Sequence, residues 1–228
     1  MTTKKMPRSI QLSKLSLADQ AAAALRKLIL RTTLAPGSVV TEREICALLG
    51  ISRTPAREAI RTLINEGLID SSETGRLSIA NPSIETMVHL VQLLGALEGL
   101  AAELAARNAT DAELKQIAQF HEKMSAMVED NSEFKYFDTN IAFHRAIVAA
   151  SRNPKLVLMH KSVDDQLYLA RYRSSRKQPR RAVAVGEHGE VVRALMARDE
   201  GAARNAMIGH LRTTIRNLRE ADAENGGD

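Results

Sequence analysis

Three of the six histidines, together with one asparagine, have the spacing from which a metal site could be built. Asn140 and His144 lie four apart in FDTNIAFHRAIVAA, so on a helix both side chains project from one face. His188 and His210 are 22 apart, and the helical pattern breaks near Asp199, eleven residues from each. In an antiparallel helical pair, positions equidistant from the turn sit at the same height, so the two imidazoles can face each other. Three imidazoles and one amide oxygen converging inside a helical bundle would hold a divalent metal and leave open coordination positions. The same histidines could equally be ordinary core or surface residues, and spacing alone leaves that alternative open.

A second row carries charge. Arg53, Arg57 and Arg61 recur every four residues, on the side of a helix opposite Ala59, Ile60 and Leu63. Guanidiniums near a helix start suit duplex DNA, because Arg reaches guanine edges bidentately or grips phosphate, and the helix N-terminus itself favours phosphate. The plainer alternative is a solvated face in which Arg57 or Arg61 pairs with Glu58 or Glu66. Charge placement favours the polyanion. Residues 1–80 hold twelve Lys or Arg against seven Asp or Glu, and the remainder holds twenty of each, so the whole net charge of +5 lies in the first third. A basic tail of Lys4, Lys5, Arg8 and Lys14 accounts for most of that excess.

The elements that would position these residues differ between the two parts. Ser16 can cap a helix over SLADQAAAALRKLIL, with Asp19 three residues on and Ala22, Leu25, Leu28 and Ile29 as its apolar stripe. Pro36-Gly37 then turns the chain. Thr41 and Glu44 have capping-box spacing for a short helix with Ile45, Leu48 and Leu49 facing inward, ended by Gly50. A third helix carries Pro55 in its first turn and stops at Gly67. Leu68-Ile69-Asp70, SSETG and Leu77-Ser78-Ile79 read as a two-stranded hairpin. Helix, helix, tight turn, helix and hairpin make a winged helix-turn-helix.

From Asn81-Pro82-Ser83 onward the period is helical throughout, with six helices predicted near 83–107, 111–130, 133–151, 154–175, 181–197 and 200–220. The predicted fold is therefore mainly α. A winged helix-turn-helix of three helices and a small β-hairpin occupies 1–80, followed by a linker at 81–83. An all-α six-helix bundle spans 84–220, and a disordered tail covers 221–228. Aromatics make up 3% with no Trp, as suits an Ala/Leu-packed bundle. One cysteine, Cys46, excludes a disulfide framework and any Cys-based zinc finger. No apolar run of ~20 residues and no signal-peptide core are seen, so a cytoplasmic protein is expected.

The run from Leu34 to Ile69, with its APG, TERE, LGISRTPAREA and EGL, closely resembles the winged-helix domain of GntR-family bacterial transcription regulators. That resemblance implies DNA contacts from Arg43, Arg53, Thr54 and Arg57, with Gly75 letting the wing backbone enter the minor groove. Arg76 is added from its charge and position. LEGLAAELAA, NIAFHRAIVAASRNP and EHGEVVRALMARDEGAARNAMIGHL are similar to the FCD ligand-binding module of the FadR subfamily. This second likeness implies metal ligation by Asn140, His144, His188 and His210, with Zn²⁺, Ni²⁺ and Mn²⁺ equally compatible. Many relatives carry Asp in place of Asn140, and a neutral amide is the weaker ligand. Many also carry Arg where this chain has Leu94, one turn before Glu98. The basic stretch RYRSSRKQPRR offers Arg171 or Arg173 to replace that charge, with Tyr168 or Tyr172 lining the pocket. The alternative for this stretch is a solvated helix end and loop.

These features together predict a homodimeric DNA-binding regulator, in this family more often a repressor. It would bind near-palindromic operator DNA and respond to a small carboxylate effector at the metal. A metal-dependent hydrolase fused to a DNA-binding segment is the rival. Against it, no HExxH, phosphate-binding Gly-rich loop or nucleophile elbow is present.

Overall fold

The structure is a computed structural model that describes residues 15–31, 33–128, 133–167 and 178–224. The DNA-side elements are α1 (Leu17–Leu30), β1 (Val39–Val40), α2 (Glu42–Leu49), α3 (Arg53–Asn65), β2 (Ile69–Ser71) and β3 (Leu77–Ile79). Both predicted capping boxes form: Ser16 Oγ accepts the Asp19 N–H at 3.1 Å, and Thr41 Oγ1 accepts that of Glu44 at 3.2 Å. Gly50 closes α2 in the left-handed conformation, at φ 64°. The hairpin acquires a third strand, because β1 pairs antiparallel with β3 (Val39 opposite Ser78), giving the order β1-β3-β2. Leu48 departs from expectation. It is 54% exposed, because it shares a face with exposed Glu44, while Ile45, Cys46 and Leu49 line the inner side of this two-turn helix.

The second part comprises α4 (Ile84–Asn108), α5 (Asp111–Ala126), α6 (Glu133–Ala150), α7 (Pro154–Gln166), α8 (Gln178–Met196) and α9 (Glu200–Glu224). Helix α9 runs four residues past the predicted end. Helix α8 starts earlier than predicted because Pro179 is tolerated in a first turn. The two 25-residue helices α4 and α9 form the central pair, with α6, α7 and α8 packed around α4 and α5 closing against α6 and α8. Small residues set how closely they approach: a Cβ on Gly99 would stand 2.8 Å from Ile208 Cγ1. Helix α4 is apolar enough to match a membrane span by length and composition. Here its apolar side is core, with Val91, Leu94, Ala101, Ala102 and Ala105 fully buried.

Helix α6 belongs to both parts. Phe143 and Ile147 pack in the helical core, whereas Phe137 and Ile141 pack with Leu25, Ile60 and Leu63 in the core of the winged helix. Phe134 adds a cation–π contact, with the Arg31 guanidinium 4.9 Å from its ring centroid.

Candidate functional site

The arginine row occupies the exposed side of α3, while Ala56, Ala59, Ile60 and Leu63 are buried behind it. The start of α3 differs chemically from those of α1, α2, α4 and α5. Each of those four has a Ser or Thr cap bond and an acidic residue in its first turn, whereas Ser52 makes no side-chain cap bond and the first turn of α3 holds no acid. The leading N–H groups and the positive end of the helix dipole are thus left for an external anion. Arg57 pairs with neither Glu58 nor Glu66: its Nε donates to both carboxylate oxygens of Glu42 at 2.9 Å, and Glu66 instead accepts from Arg26. The Arg57–Glu42 pair is exposed, and such pairs contribute only ~0–1 kcal/mol, so a phosphate or guanine can displace it. Arg57, Arg61, Gly75 and Arg76 line one groove between α3 and the wing. Arg43, Arg53 and Thr54 stand exposed at the α2 and α3 N-terminal turns, outside that groove's lining. Gly75 is needed for its φ of +77° rather than for space, since nothing lies within 4 Å of a Cβ built there.

The histidines converge. His144 on α6, His188 on α8 and His210 on α9 are all buried, and one potential ligand atom from each lies within 4.8 Å of the others. His188 Nε2 and His210 Nε2 are 3.1 Å apart, so the two imidazoles do meet at one height. Carboxylates hold two of the rings from behind. Glu98 Oε2 lies 2.6 Å from His144 Nδ1, and Glu187 Oε2 lies 2.8 Å from His210 Nδ1. A carboxylate accepts, so each Nδ1 donates to it, the kind of contact that fixes the ring of a ligating histidine. Burial, then the neighbouring His210, His144 and His121, drives His188 well below the usual imidazole range and keeps it neutral. Its Nδ1 is buried and has no hydrogen-bond partner among the described residues. Asn140, one turn before His144, lines the same cleft.

Buried imidazoles converging from three helices suit a borderline metal ion. An Nε2–Nε2 separation of 3.1 Å fits two ligands at ~2.0–2.1 Å on adjacent positions of one ion. The donor set therefore fits the group that the sequence implied.

Other residues at the cleft had not been expected there. Glu98 is a lone carboxylate on the buried face of α4, and its second oxygen lies 2.9 Å from His160 Nε2, a fourth buried histidine. The candidates Tyr168, Arg171, Tyr172 and Arg173 lie outside the described residues. From the same basic stretch, Arg180 and Arg181 line the cleft, with Tyr136 from α6 and Thr214 from α9. Burial raises the Tyr136 hydroxyl well above the usual phenol range, although nearby Arg181 acts to lower it.

Comparison with known proteins decides what this arrangement belongs to. The profile described as "FCD domain" matches residues 89–213, and that of "Bacterial regulatory proteins, gntR family" matches residues 17–76. The chain belongs to the GntR family and carries an FCD domain. Among similar curated proteins, the Glc operon transcriptional activator of Escherichia coli K12 is 29% identical over 227 residues, covering 89% of each chain. The transcriptional repressor NanR of Citrobacter rodentium is 27% identical over 225 residues, covering 90% of this chain and 86% of its own. Among solved structures, E. coli McbR/YncC matches with a TM-score of 0.75 at 20% identity, covering 91% of this chain and 99% of that one; at that identity it establishes the shared fold. The family and these relatives are transcription regulators, not enzymes, which sets the hydrolase alternative aside.

Proposed function

We propose that this GntR-family DNA-binding regulator is a ligand-responsive repressor, as NanR is named to be, acting in the cytoplasm as a homodimer on near-palindromic operator DNA. The observation that carries the sensing role is the double face of α6. Asn140 and His144 project into the histidine cleft, and Phe137 and Ile141 are embedded in the winged-helix core. A shift of α6 at the cleft therefore moves the base of the DNA-reading unit, which is how binding at one site changes affinity at the other.

In this reading, residues 1–80 bind DNA, 81–83 link, and 84–220 sense and dimerise. Arg53, Thr54 and Arg57 contact base edges and phosphates, Arg43 adds a contact from α2, and Gly75 and Arg76 approach through the wing. One winged helix covers only a single small DNA-binding module's ~600–1,000 Å², so useful affinity comes from two copies. His144, His188 and His210 hold a Zn²⁺, Ni²⁺ or Mn²⁺ ion, with the Asn140 amide as a weaker fourth ligand. When bound, the ion supplies a positive centre with open positions for the carboxylate of a small effector. Glu98 and Glu187 keep His144 and His210 in the ligating tautomer, and Leu94 and Leu211 exclude water from the cleft wall.

Phe137→Leu tests the route, since it keeps apolar volume while loosening the fit in the winged-helix core. With α6 as the connection, effector affinity and effector-free operator affinity each stay within about threefold, and the effector-induced change in operator affinity falls by at least half, as read by fluorescence anisotropy. Unaltered coupling in a folded Phe137→Leu protein would exclude α6 as the connection.

A further inference from the structure

We propose that His160 is a positioning residue that ties the histidine cluster to α7, giving the winged helix a second connection to that cluster besides α6. The inference rests on the reading above, in which His144, His188 and His210 hold a metal ion. The buried stripe of α7 is Leu156, His160, Val163 and Asp164, so two polar residues stand where an apolar face would suffice. His160 is 2% exposed and Glu98 is fully buried. One carboxylate oxygen of Glu98 lies 2.6 Å from His144 Nδ1, and the other lies 2.9 Å from His160 Nε2. A carboxylate accepts, so His160 donates through Nε2. Glu98 on α4 thus bridges an imidazole of α6 to an imidazole of α7.

Packing alone does not ask for this bridge. Replacing a buried charged pair by apolar residues of like volume is often neutral or stabilising, whereas removing one partner is costly. A buried carboxylate held at both oxygens therefore moves with its two rings rather than releasing one. Whatever fixes the His144 ring fixes His160 with it.

The far end of α7 meets the winged helix. A Cβ built on Gly67, in the turn between α3 and β2, would stand 3.3 Å from Gln166 Cα and 3.5 Å from Gln166 O. Gln166 is the last residue of α7, about 9 Å along the helix from His160. Lys161 and Asp165 of α7 also line a cleft with Arg26, Thr62, Asn65 and Glu66 of the winged helix. Arg145 adds a tie between α6 and α7 through Asp164, but its side chain is half exposed, and exposed partners hold weakly. His160 is therefore the buried grip by which the cluster holds α7 against the end of α3.

The test compares hydrogen exchange in the full-length protein stripped of metal and saturated with zinc, with occupancy checked by elemental analysis. The reporters are the amides of Gly67 and Leu68, which donate to the carbonyls of Ile64 and Leu63, and those of α6 from Phe137 to Ile141. In the wild type, zinc is expected to slow exchange at both places by about threefold or more. His160→Asn, whose amide ends near the place of Nδ1, keeps the α6 response and loses that of Gly67 and Leu68. His160→Gln, whose amide nitrogen reaches the place of Nε2, restores it, which a residue that only fills space would not require. If His160→Asn fails to fold by circular dichroism, His160→Leu takes its place with the same expectations. A Gly67 and Leu68 response that survives in the folded variant overturns the α7 connection. So does a response lost from both reporters together, a glutamine variant that behaves as the asparagine one, or a zinc-bound wild type unresponsive at Gly67 and Leu68. In each of these cases the metal reading stands. A wild type that binds no zinc overturns that reading and the inference with it.

Discussion

Arg53→Ala and Arg57→Ala are each expected to abolish specific operator binding while leaving a folded dimer. The effect is large because the two side chains have different tasks at one helix start. Arg53 opens α3, where Ser52 makes no cap bond and no acid competes for the backbone N–H groups. Arg57, one turn on, is held among the described residues by the exposed Glu42 carboxylate. Each bidentate contact to a base discriminates by ~1–3 kcal/mol, and in a dimer every substitution acts twice. Anisotropy with a duplex selected by the wild type from a random pool, against a scrambled duplex, separates specific from non-specific binding. Loss of a phosphate contact also flattens the dependence on salt by about one counterion per contact. Footprints like the wild type's from both variants would refute the assignment of α3 as the reading helix.

The second large effect is on metal. His188→Ala and His210→Ala are expected to lower the bound metal from about one ion per chain to a small residue, measured by elemental analysis after dialysis. Each removes one of three imidazoles, and the remaining Asn140 amide is too weak a donor to compensate. His188 is the more informative position, because burial and the neighbouring histidines depress its proton affinity and so favour the neutral, ligating form. Glu98 and Glu187 still hold the other two rings, so the fold is expected to survive. Unchanged metal content in both variants would place the ion elsewhere.

Much of this was legible because it is local. Ser16 with Asp19, Thr41 with Glu44 and the left-handed Gly50 mark helix ends through contacts three or four residues long. The His188–His210 encounter followed from equal distances to one turn. What escaped depends on partners far along the chain. Val39 and Val40 form a strand only because β3 lies beside them. Glu98 reads as one acid in an alanine-rich helix until His144 and His160 close on it from α6 and α7. Pro179 looked like an interruption, yet it sits in the first turn of α8. Arg180 and Arg181, from the same basic stretch as Arg171 and Arg173, line the cleft. That Phe137 and Ile141 of α6 pack inside the winged-helix core is visible only once the two domains are placed together.

The central claim is that the histidine cleft governs DNA binding through α6. It is tested most directly by measuring operator affinity of the zinc-loaded and metal-stripped full-length protein across a panel of small mono- and dicarboxylates. The account predicts that at least one acid shifts the operator Kd of the loaded protein by ~5–150-fold, the range of a ~1–3 kcal/mol coupling, and that the shift disappears on stripping. An operator affinity that no acid alters, or a shift that persists after the metal is removed, would contradict it.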